Sequence, residues 1–173
     1  MTSYTNSKSS FIRPEKFWRE LGLSAGQTVV HLGCGAGFYL TPAAKIVGPR
    51  GQVYGVDVLP DMLQEAQNRA EQSGVADITK TIRADLEHDR GSSLDDNISD
   101  WTLVANILYQ ADPQKILSEA KRITKKNGII IVTEWDTAST PVGPPPETRV
   151  PLSQVKEIAA QLKLKILKQF SPS

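Results

Sequence analysis

The chain has 173 residues, of which 23% are charged, with a formal net charge of +1 and a single cysteine. This length suits one domain with one sizeable core, and the composition is ordinary for a globular protein. One cysteine excludes an intramolecular disulfide framework and a cysteine-based metal site. The sequence has no apolar run of membrane-spanning length and no signal-peptide core, so we expect a cytoplasmic protein without a membrane partner.

Two segments precede the first predicted strand. Residues 1–13 are mostly polar, so we expect a flexible N-terminal tail followed by a single domain over residues 14–173. A helix is predicted over residues 14–21, because it begins with a proline and Gly22 follows its last residue.

A glycine-rich turn follows the first predicted strand. Residues 28–32 are mostly apolar or β-branched, and Gly33, Gly35 and Gly37 come directly after them. A short apolar run that is stopped by glycines and followed by a helical pattern predicts a buried strand, a tight turn and a helix start. Glycine adopts positive φ readily and lets a ligand approach the main chain. The stretch therefore predicts a nucleotide-binding turn.

The spacing of these glycines separates two nucleotide-binding families. In the dinucleotide fingerprint G-x-G-x-x-G/A, the third glycine allows the helix to pack closely on the strand, and Phe38 stands at that position here. The G-x-G-x-G pattern instead resembles motif I of the class I S-adenosylmethionine-dependent methyltransferases. This resemblance implies that Gly33, Cys34, Gly35 and Gly37 surround the methionine end of S-adenosyl-L-methionine.

A carboxylate lies at the carboxyl end of each of the next two predicted strands, which are residues 52–57 and 78–83. Asp57 ends the first of these, where a βαβ unit brings it beside the glycine turn. Its carboxylate is expected to accept hydrogen bonds from both ribose hydroxyls, although an Asp here can also cap the next helix. The resemblance implies that Asp85 accepts from the adenine amino group and that the backbone N–H of Leu86 reaches the adenine ring.

The segment after the fourth predicted strand, residues 101–105, lies at the acceptor in the family that this chain resembles. A nucleic-acid amino-methyltransferase would carry Asn or Asp followed by Pro-Pro-aromatic there, whereas Asn106 is followed by Ile107. The sequence therefore disfavours that subclass and a nucleic-acid partner.

The C-terminal part is predicted to contain a helix over residues 113–126, a turn at Asn127–Gly128, a strand over 129–135, a helix over 152–162 and a strand over 163–170. The stretch KKNGIIIVTEW resembles the post-motif of the same family. The full family fold has a seventh, antiparallel strand, for which no residues remain. We expect either six strands or an exposed sheet edge through which a homodimer forms.

Strands and helices alternate along the chain, which predicts an α/β fold with a doubly wound, Rossmann-like, mostly parallel sheet that lacks the final antiparallel strand. The resemblance covers residues 14–170. The motifs of the chain are similar to those of quinone-biosynthesis methyltransferases. This resemblance implies methyl transfer from S-adenosylmethionine to a small-molecule acceptor through an O, C or N nucleophile. The expected cofactor-binding residues are Gly33, Cys34, Gly35, Gly37, Asp57, Val58, Met62, Asp85, Leu86 and Asn106.

No motif indicates a catalytic residue, because a sulfonium already activates its methyl group and the protein mainly has to place the reactants and exclude water. Tyr109, His31 and Glu134 are candidates for taking a proton from the acceptor. His31 departs from the family pattern, in which an acidic residue is common at this position. A neutral imidazole could accept from the cofactor's amino group, whereas a charged one would repel the sulfonium.

Three other functions compete with methyl transfer to a small molecule. The chain could bind S-adenosylmethionine without catalysis, or it could be a nicotinamide oxidoreductase, which would need the glycine that Phe38 replaces. A protein or RNA methyltransferase would use the basic residues 121–173, which hold nine Lys and Arg against four Asp and Glu. Solvated helix faces produce the same imbalance. No metal site is expected.

Overall fold

The described part of the chain, residues 2–3, 13–137 and 142–169 of a computed structural model, alternates strands and helices. The helices are Pro14–Leu21 (α1), Leu40–Val47 (α2), Pro60–Gln72 (α3), Pro113–Ile123 (α4) and Leu152–Gln161 (α5). The strands are Thr2–Ser3 (β1), Thr28–Leu32 (β2), Gln52–Asp57 (β3), Thr79–Arg83 (β4), Ser99–Ala105 (β5), Thr124–Thr133 (β6) and Lys168–Gln169 (β7). Across these described residues, no helix has both the length and the apolar character needed to cross a membrane.

The described strands form one sheet with the order β4-β3-β2-β5-β6-β1-β7, and each described pair of neighbours is parallel. The chain moves outward from β2 through β3 to β4, returns to the centre, and then moves through β5 to β6 on the other side. This is the predicted doubly wound, Rossmann-like sheet, and the prediction is confirmed. Because these strands are parallel, their carboxyl ends meet at one edge of the sheet.

Helices cover both faces of the sheet. Helices α1, α2 and α3 pack on one face around Trp18, and α4 and α5 pack on the other face around Leu117. Successive residues of β2 belong to opposite faces, since Val29 lies in the first cluster and Val30 in the second. Burial on both faces explains why the central strands are continuous apolar runs in the sequence.

The start of β6 differs from the prediction of a helix over residues 113–126 and a turn at Asn127–Gly128. Helix α4 ends earlier, and β6 already begins at Thr124. The hydroxyl oxygens of Thr124 and Thr102 are hydrogen-bonded at 2.6 Å, which joins the start of β6 to β5. The residues that follow are accommodated by a register shift in the β5–β6 ladder, so the predicted turn is a bulge within the strand.

The predicted strand over residues 163–170 is wrong for most of its length. Lys163 has a left-handed φ of 55°, and the backbone N–H of Leu164 donates to a carbonyl of α5 at 2.8 Å. These residues therefore close α5 instead of extending as a strand. Within residues 163–169 only Lys168–Gln169 forms a strand, and Phe170 lies outside the described residues.

A strand that the sequence analysis missed lies beside β6. Thr2–Ser3 pairs with β6 on one side and with β7 on the other. The described sheet thus has seven strands instead of the expected six, and it contains no antiparallel pair among the strands that the structure describes. Residues 1 and 4–12 of the predicted flexible tail lie outside the described residues, and both that tail and the homodimer stay predictions.

Helix α3 lies directly against the backbone of the glycine turn after β2. A Cβ atom on Gly37 would lie 2.8 Å from the Cβ atom of Ala66, which is too close for van der Waals contact. Gly37 also has a φ of 79°, in the left-handed region that favours glycine. The close approach of α3 to this turn therefore depends on Gly37.

We expect Gly37→Ala to destabilise the fold more than Gly26→Ala does. The two glycines have φ values of 79° and 81°, so an alanine costs about 1–2 kcal/mol of backbone energy at either position. Gly26 has open space around it, whereas the overlap of Gly37→Ala with Ala66 adds about 1–3 kcal/mol. Urea denaturation measures both losses, and equal losses would contradict this account of α3 packing.

Candidate functional site

A cavity of about 420 Å³ opens at the carboxyl edge of the sheet. It lies where β2 and β5 are neighbours and the chain has switched direction across the sheet, which is the usual ligand position in open α/β folds. Its volume falls in the range of small-molecule sites, about 300–1,000 Å³. Its wall is formed by Gly33, Gly35, Asp57, Val58, Leu59, Met62, Ala84, Asp85, Leu86, Glu87, Ala105, Asn106, Ile107, Gln110, Ala111 and Ile116.

The glycine turn forms one wall of this cavity. The backbone N–H groups of Gly33 and Cys34 both donate to the carbonyl oxygen of Val56, at 2.8 and 2.9 Å, which joins the turn to the end of β3. A Cβ atom on Gly33 would lie 2.5 Å from Cγ2 of Ile107. The turn after β2 and the turn after β5 are therefore in contact through a position that has no room for a side chain.

Asp57 connects the glycine turn to α3. Its Oδ2 accepts from the backbone N–H of Gly35 at 2.8 Å, and its Oδ1 accepts from the backbone N–H of Leu59 at 3.0 Å. A carboxylate has about four lone-pair sites. Both oxygens of Asp57 thus retain capacity to accept from a ligand. The bond to Leu59 is made one residue before α3 begins, so Asp57 does not bind an N–H group of the helix itself.

Asp85 and its neighbours form the wall after β4. Oδ1 of Asp85 accepts from the backbone N–H of Glu87 at 2.9 Å, and its Oδ2 lies 3.2 Å from Nδ1 of His88. Glu87 in turn accepts from the backbone N–H of Asp112, at the start of α4, at 3.0 Å. These contacts fix the loop that carries Asp85 and Leu86 to the other side of the cavity.

Eight of the ten predicted cofactor-binding residues lie in the cavity wall, and Cys34 and Gly37 do not. The thiol of Cys34 is buried against β3, because a Cβ atom on Gly55 would lie 2.9 Å from its sulfur. Burial and the nearby charge of Asp57 raise the pKa of the Cys34 thiol to about 12, so it stays protonated. Cys34 is therefore a core residue at this turn, and Gly37 lies against α3.

The sequence analysis did not single out eight of the residues in the wall. Seven of them lie close in sequence to a predicted site residue at a strand end, and this proximity was the signal that could have identified them. They are Leu59, Ala84, Glu87, Ala105, Ile107, Gln110 and Ala111. Ile116 is different, because it lies on α4 and only the packing of that helix on the sheet brings it to the cavity.

His31 is buried beside the glycine turn and does not line the cavity. Its ring is edge-on to Tyr39, with 5.6 Å between the ring centres, and neither ring nitrogen has a hydrogen-bond partner. Burial lowers the pKa of His31 to about 3. The imidazole is therefore neutral near pH 7, which favours the alternative of a neutral His31 over that of a charged one that repels the sulfonium.

The other two candidate proton acceptors also lie outside the cavity wall. Tyr109 is half-buried in the turn after β5. Glu134 directly follows β6, and its Oε1 accepts from the backbone N–H groups of Ile107 and Leu108, both at 2.8 Å. Burial raises the pKa of Glu134 to about 7, against the effect of these backbone donors.

Comparison with known proteins identifies the family. A family model described as a methyltransferase domain matches residues 23–168. The crystal structure of a SAM dependent methyltransferase from Aquifex aeolicus is 32% identical, covers 86% of this chain and 77% of its own, and superposes with a TM-score of 0.76. The chain therefore belongs to the class I S-adenosylmethionine-dependent methyltransferases. The predicted class is confirmed, and S-adenosyl-L-methionine is the cofactor of this family.

Two curated relatives are methyltransferases of small molecules by name. The demethylmenaquinone methyltransferase of Geobacillus kaustophilus is 28% identical over 137 residues, which is 75% of this chain and 56% of the relative. The aklanonic acid methyltransferase DauC of a Streptomyces species is 43% identical over 57 residues, which is 33% of this chain and 26% of the relative. This chain thus spans about half or less of the length of these two relatives.

We expect His31 to make the fold less stable in acid. An unfolded histidine titrates near pH 6.5, whereas the pKa of folded His31 is about 3, so between these values the unfolded chain binds a proton that the folded chain does not. The free energy of unfolding is therefore unaffected by protonation of His31 above about pH 6.5. Below that pH it falls by about 1.4 kcal/mol per pH unit, until the pKa of folded His31 is reached.

Urea denaturation of wild type and His31→Leu at pH 7 and pH 5 measures this effect. Glu134 has a raised pKa and changes stability in the opposite direction over part of this range, so the difference between the two proteins is the quantity to follow. The stability of wild type relative to His31→Leu should fall by about 2 kcal/mol from pH 7 to pH 5. The solvent-exposed His88→Gln is the matched control, and a pH-independent difference for His31→Leu would contradict the prediction.

Proposed function

We propose that this chain transfers the methyl group of S-adenosylmethionine to a small-molecule acceptor. The observation that supports this most strongly is the cavity at the carboxyl edge of the sheet. One wall contains the glycine turn and Asp57, another contains Asp85 and Leu86, and the turn after β5 completes it. Its volume of about 420 Å³ suits a nucleoside-sized ligand with room beside it.

The proposed contacts divide the cofactor among the strand ends. Asp57 accepts from the ribose hydroxyls through the lone pairs that Gly35 and Leu59 leave free. Asp85 accepts from the adenine amino group while the backbone of Leu86 reaches the ring. The wall also holds the apolar side chains Val58 and Met62, which we assign to the faces of the adenine.

The methionine end is assigned to the glycine turn and to Asn106. Bound S-adenosylmethionine supplies a methyl group on a positively charged sulfonium. The chain's residues hold the acceptor in line with that methyl group and keep water out of the cavity. The neutral imidazole of His31 adds no positive charge beside the turn.

A small-molecule acceptor is supported by the names of the two curated relatives, which refer to demethylmenaquinone and aklanonic acid. Exposed apolar side chains follow two strands at the edge where the cavity opens: Phe38 comes after β2 and Leu59 after β3. These side chains favour an acceptor with apolar surface. A protein or RNA acceptor is the second candidate, because the residues after 120 are basic.

Calorimetric titration of S-adenosylmethionine and its demethylated product tests the cofactor site. We expect wild type to bind, and both Asp57→Ala and Asp85→Ala to lose about 1–3 kcal/mol, which is roughly 5- to 150-fold in Kd, because each leaves a ligand donor without its acceptor. Asp77→Ala, on the exposed surface away from the cavity, should bind as wild type does.

Asp57 also holds Gly35, so the thermal stability of each variant without cofactor has to be measured alongside its affinity. A Kd that changes only in proportion to lost stability would contradict a ribose contact. Folded wild-type protein that binds neither compound would overturn the proposed function.

The acceptor class is tested by incubating the protein with S-adenosylmethionine carrying a tritiated methyl group and a cell extract. We expect the label in the small-molecule fraction, and we expect Asp57→Ala to reduce it. Label in protein or RNA instead would favour the second candidate. Cofactor binding without transfer to any fraction would favour a binding protein without catalysis.

A further inference from the structure

Glu134 lies where two neighbouring strands of the sheet end together. The last residues of β5 and β6, Ala105 and Thr133, are paired in parallel register. Glu134 is the next residue after β6, and its Oε1 accepts from the backbone N–H groups of both Ile107 and Leu108 at 2.8 Å. One side-chain oxygen thus binds two successive amides of the turn that follows β5.

The turn that Glu134 binds has a sparsely populated backbone conformation. The N–H of Asn106 donates to the carbonyl of Thr133 at 2.9 Å and continues the β5–β6 ladder by one step. Asn106 then adopts a left-handed φ of 55°, which is uncommon for residues other than glycine, although asparagine tolerates it better than most. This reversal directs the next two N–H groups to Glu134.

The same turn forms part of the cavity wall and lies against the glycine turn. Asn106, Ile107 and Gln110 line the cavity, and Ile107 leaves no room for a side chain at Gly33. Leu108 is almost completely buried and anchors the turn in the core. A shift of this turn would therefore move Ile107 relative to the backbone of Gly33.

The geometry does not suit Glu134 to take a proton from the acceptor. A general base has to come within about 2.6–3.2 Å of the proton-bearing atom, or to reach it through one water. Glu134 is not part of the cavity wall, and one of its oxygens is occupied by two backbone donors.

We propose that Glu134 is a positioning residue: it holds the Asn106–Leu108 turn against the glycine turn and thereby sets the wall between the cofactor's methionine end and the acceptor. This inference rests on the proposed function for its catalytic consequence. The hydrogen bonds themselves do not depend on it. Removing the side-chain oxygen should loosen the turn first, and weaken cofactor binding and methyl transfer as a result.

The test compares Glu134→Gln with Glu134→Ala, and uses Glu147→Gln as the matched control in the exposed segment after β6. Glu134→Gln keeps a side-chain oxygen that can accept from Ile107 and Leu108 but cannot act as a base near neutral pH. Glu134→Asp keeps the charge on a shorter side chain, and it serves if Glu134→Ala does not fold. Three quantities are measured: backbone amide exchange, the Kd for S-adenosylmethionine, and the rate of methyl transfer.

In Glu134→Ala, or in Glu134→Asp if that variant replaces it, we expect the Ile107 and Leu108 amides to exchange at least about tenfold faster than in wild type, and the Kd for S-adenosylmethionine to rise about tenfold. Glu134→Gln and Glu147→Gln should stay within about threefold of wild type in both quantities. The transfer rate of Glu134→Gln should also remain within about tenfold of wild type, since the oxygen acceptor is retained.

Two results would overturn the inference. The first is amide exchange of Ile107 and Leu108 that is unchanged in Glu134→Ala, or in Glu134→Asp if that variant replaces it. The second is a Glu134→Gln protein with normal exchange and normal cofactor affinity whose transfer rate falls by more than about 100-fold, which is the behaviour of a general base. Amide exchange is measured without cofactor, so it tests the effect of Glu134 on the turn independently of cofactor binding. A wild type that fails to bind S-adenosylmethionine would overturn the proposed function but would not change the exchange result.

Discussion

The glycine turn after β2 is confined by two side chains that approach its backbone too closely for any residue but glycine. Ile107 occupies the space that a Cβ atom on Gly33 would need, and Ala66 occupies the space that a Cβ atom on Gly37 would need. Because neither neighbour can come nearer, the position of the turn is determined by the packing of α3 on one side and by the turn after β5 on the other. The cavity wall at Gly33 and Gly35 follows from this double contact.

Backbone hydrogen bonds then join this turn to the neighbouring strand ends. Gly33 and Cys34 donate to the carbonyl of Val56, and Asp57 accepts from Gly35. The carbonyl of Asp57 also accepts from the N–H of Ala84 at 3.0 Å, which continues the connection to the segment after β4. Groups at the ends of β2, β3 and β4 are thus held in a single hydrogen-bonded layer, so little ordering of this edge is left to be completed if a ligand binds there.

Two buried titratable groups beside this layer respond to burial in opposite directions. Burial lowers the pKa of His31 and raises that of Glu134, because in each case the charged form is the one that burial disfavours. His31 therefore lies beside the turn as a neutral group where the family commonly has an acid. The charge of Glu134 is compensated by backbone N–H donors that include Ile107 and Leu108, whereas the nitrogens of His31 have no partner. The hydrogen bonds of Glu134 join it to the turn after β5, and from the burial of His31 we expect a fold that is sensitive to acid.

The amino-acid sequence was sufficient to predict the α/β class, the central strands and the positions of Asp57, Asp85 and Asn106 at the cavity. These are local patterns, and parallel strands bring their carboxyl ends together whatever the details of packing. The side-chain direction of Cys34, the place of Ile116 in the wall, the bulge in β6 and the strand at Thr2–Ser3 were decided by tertiary structure. Each of these features depends on contacts between residues that are far apart in the chain, and local sequence periodicity carries no information about which distant residues meet. The hydrogen bonds from Ile107 and Leu108 to Glu134 could not be predicted for the same reason.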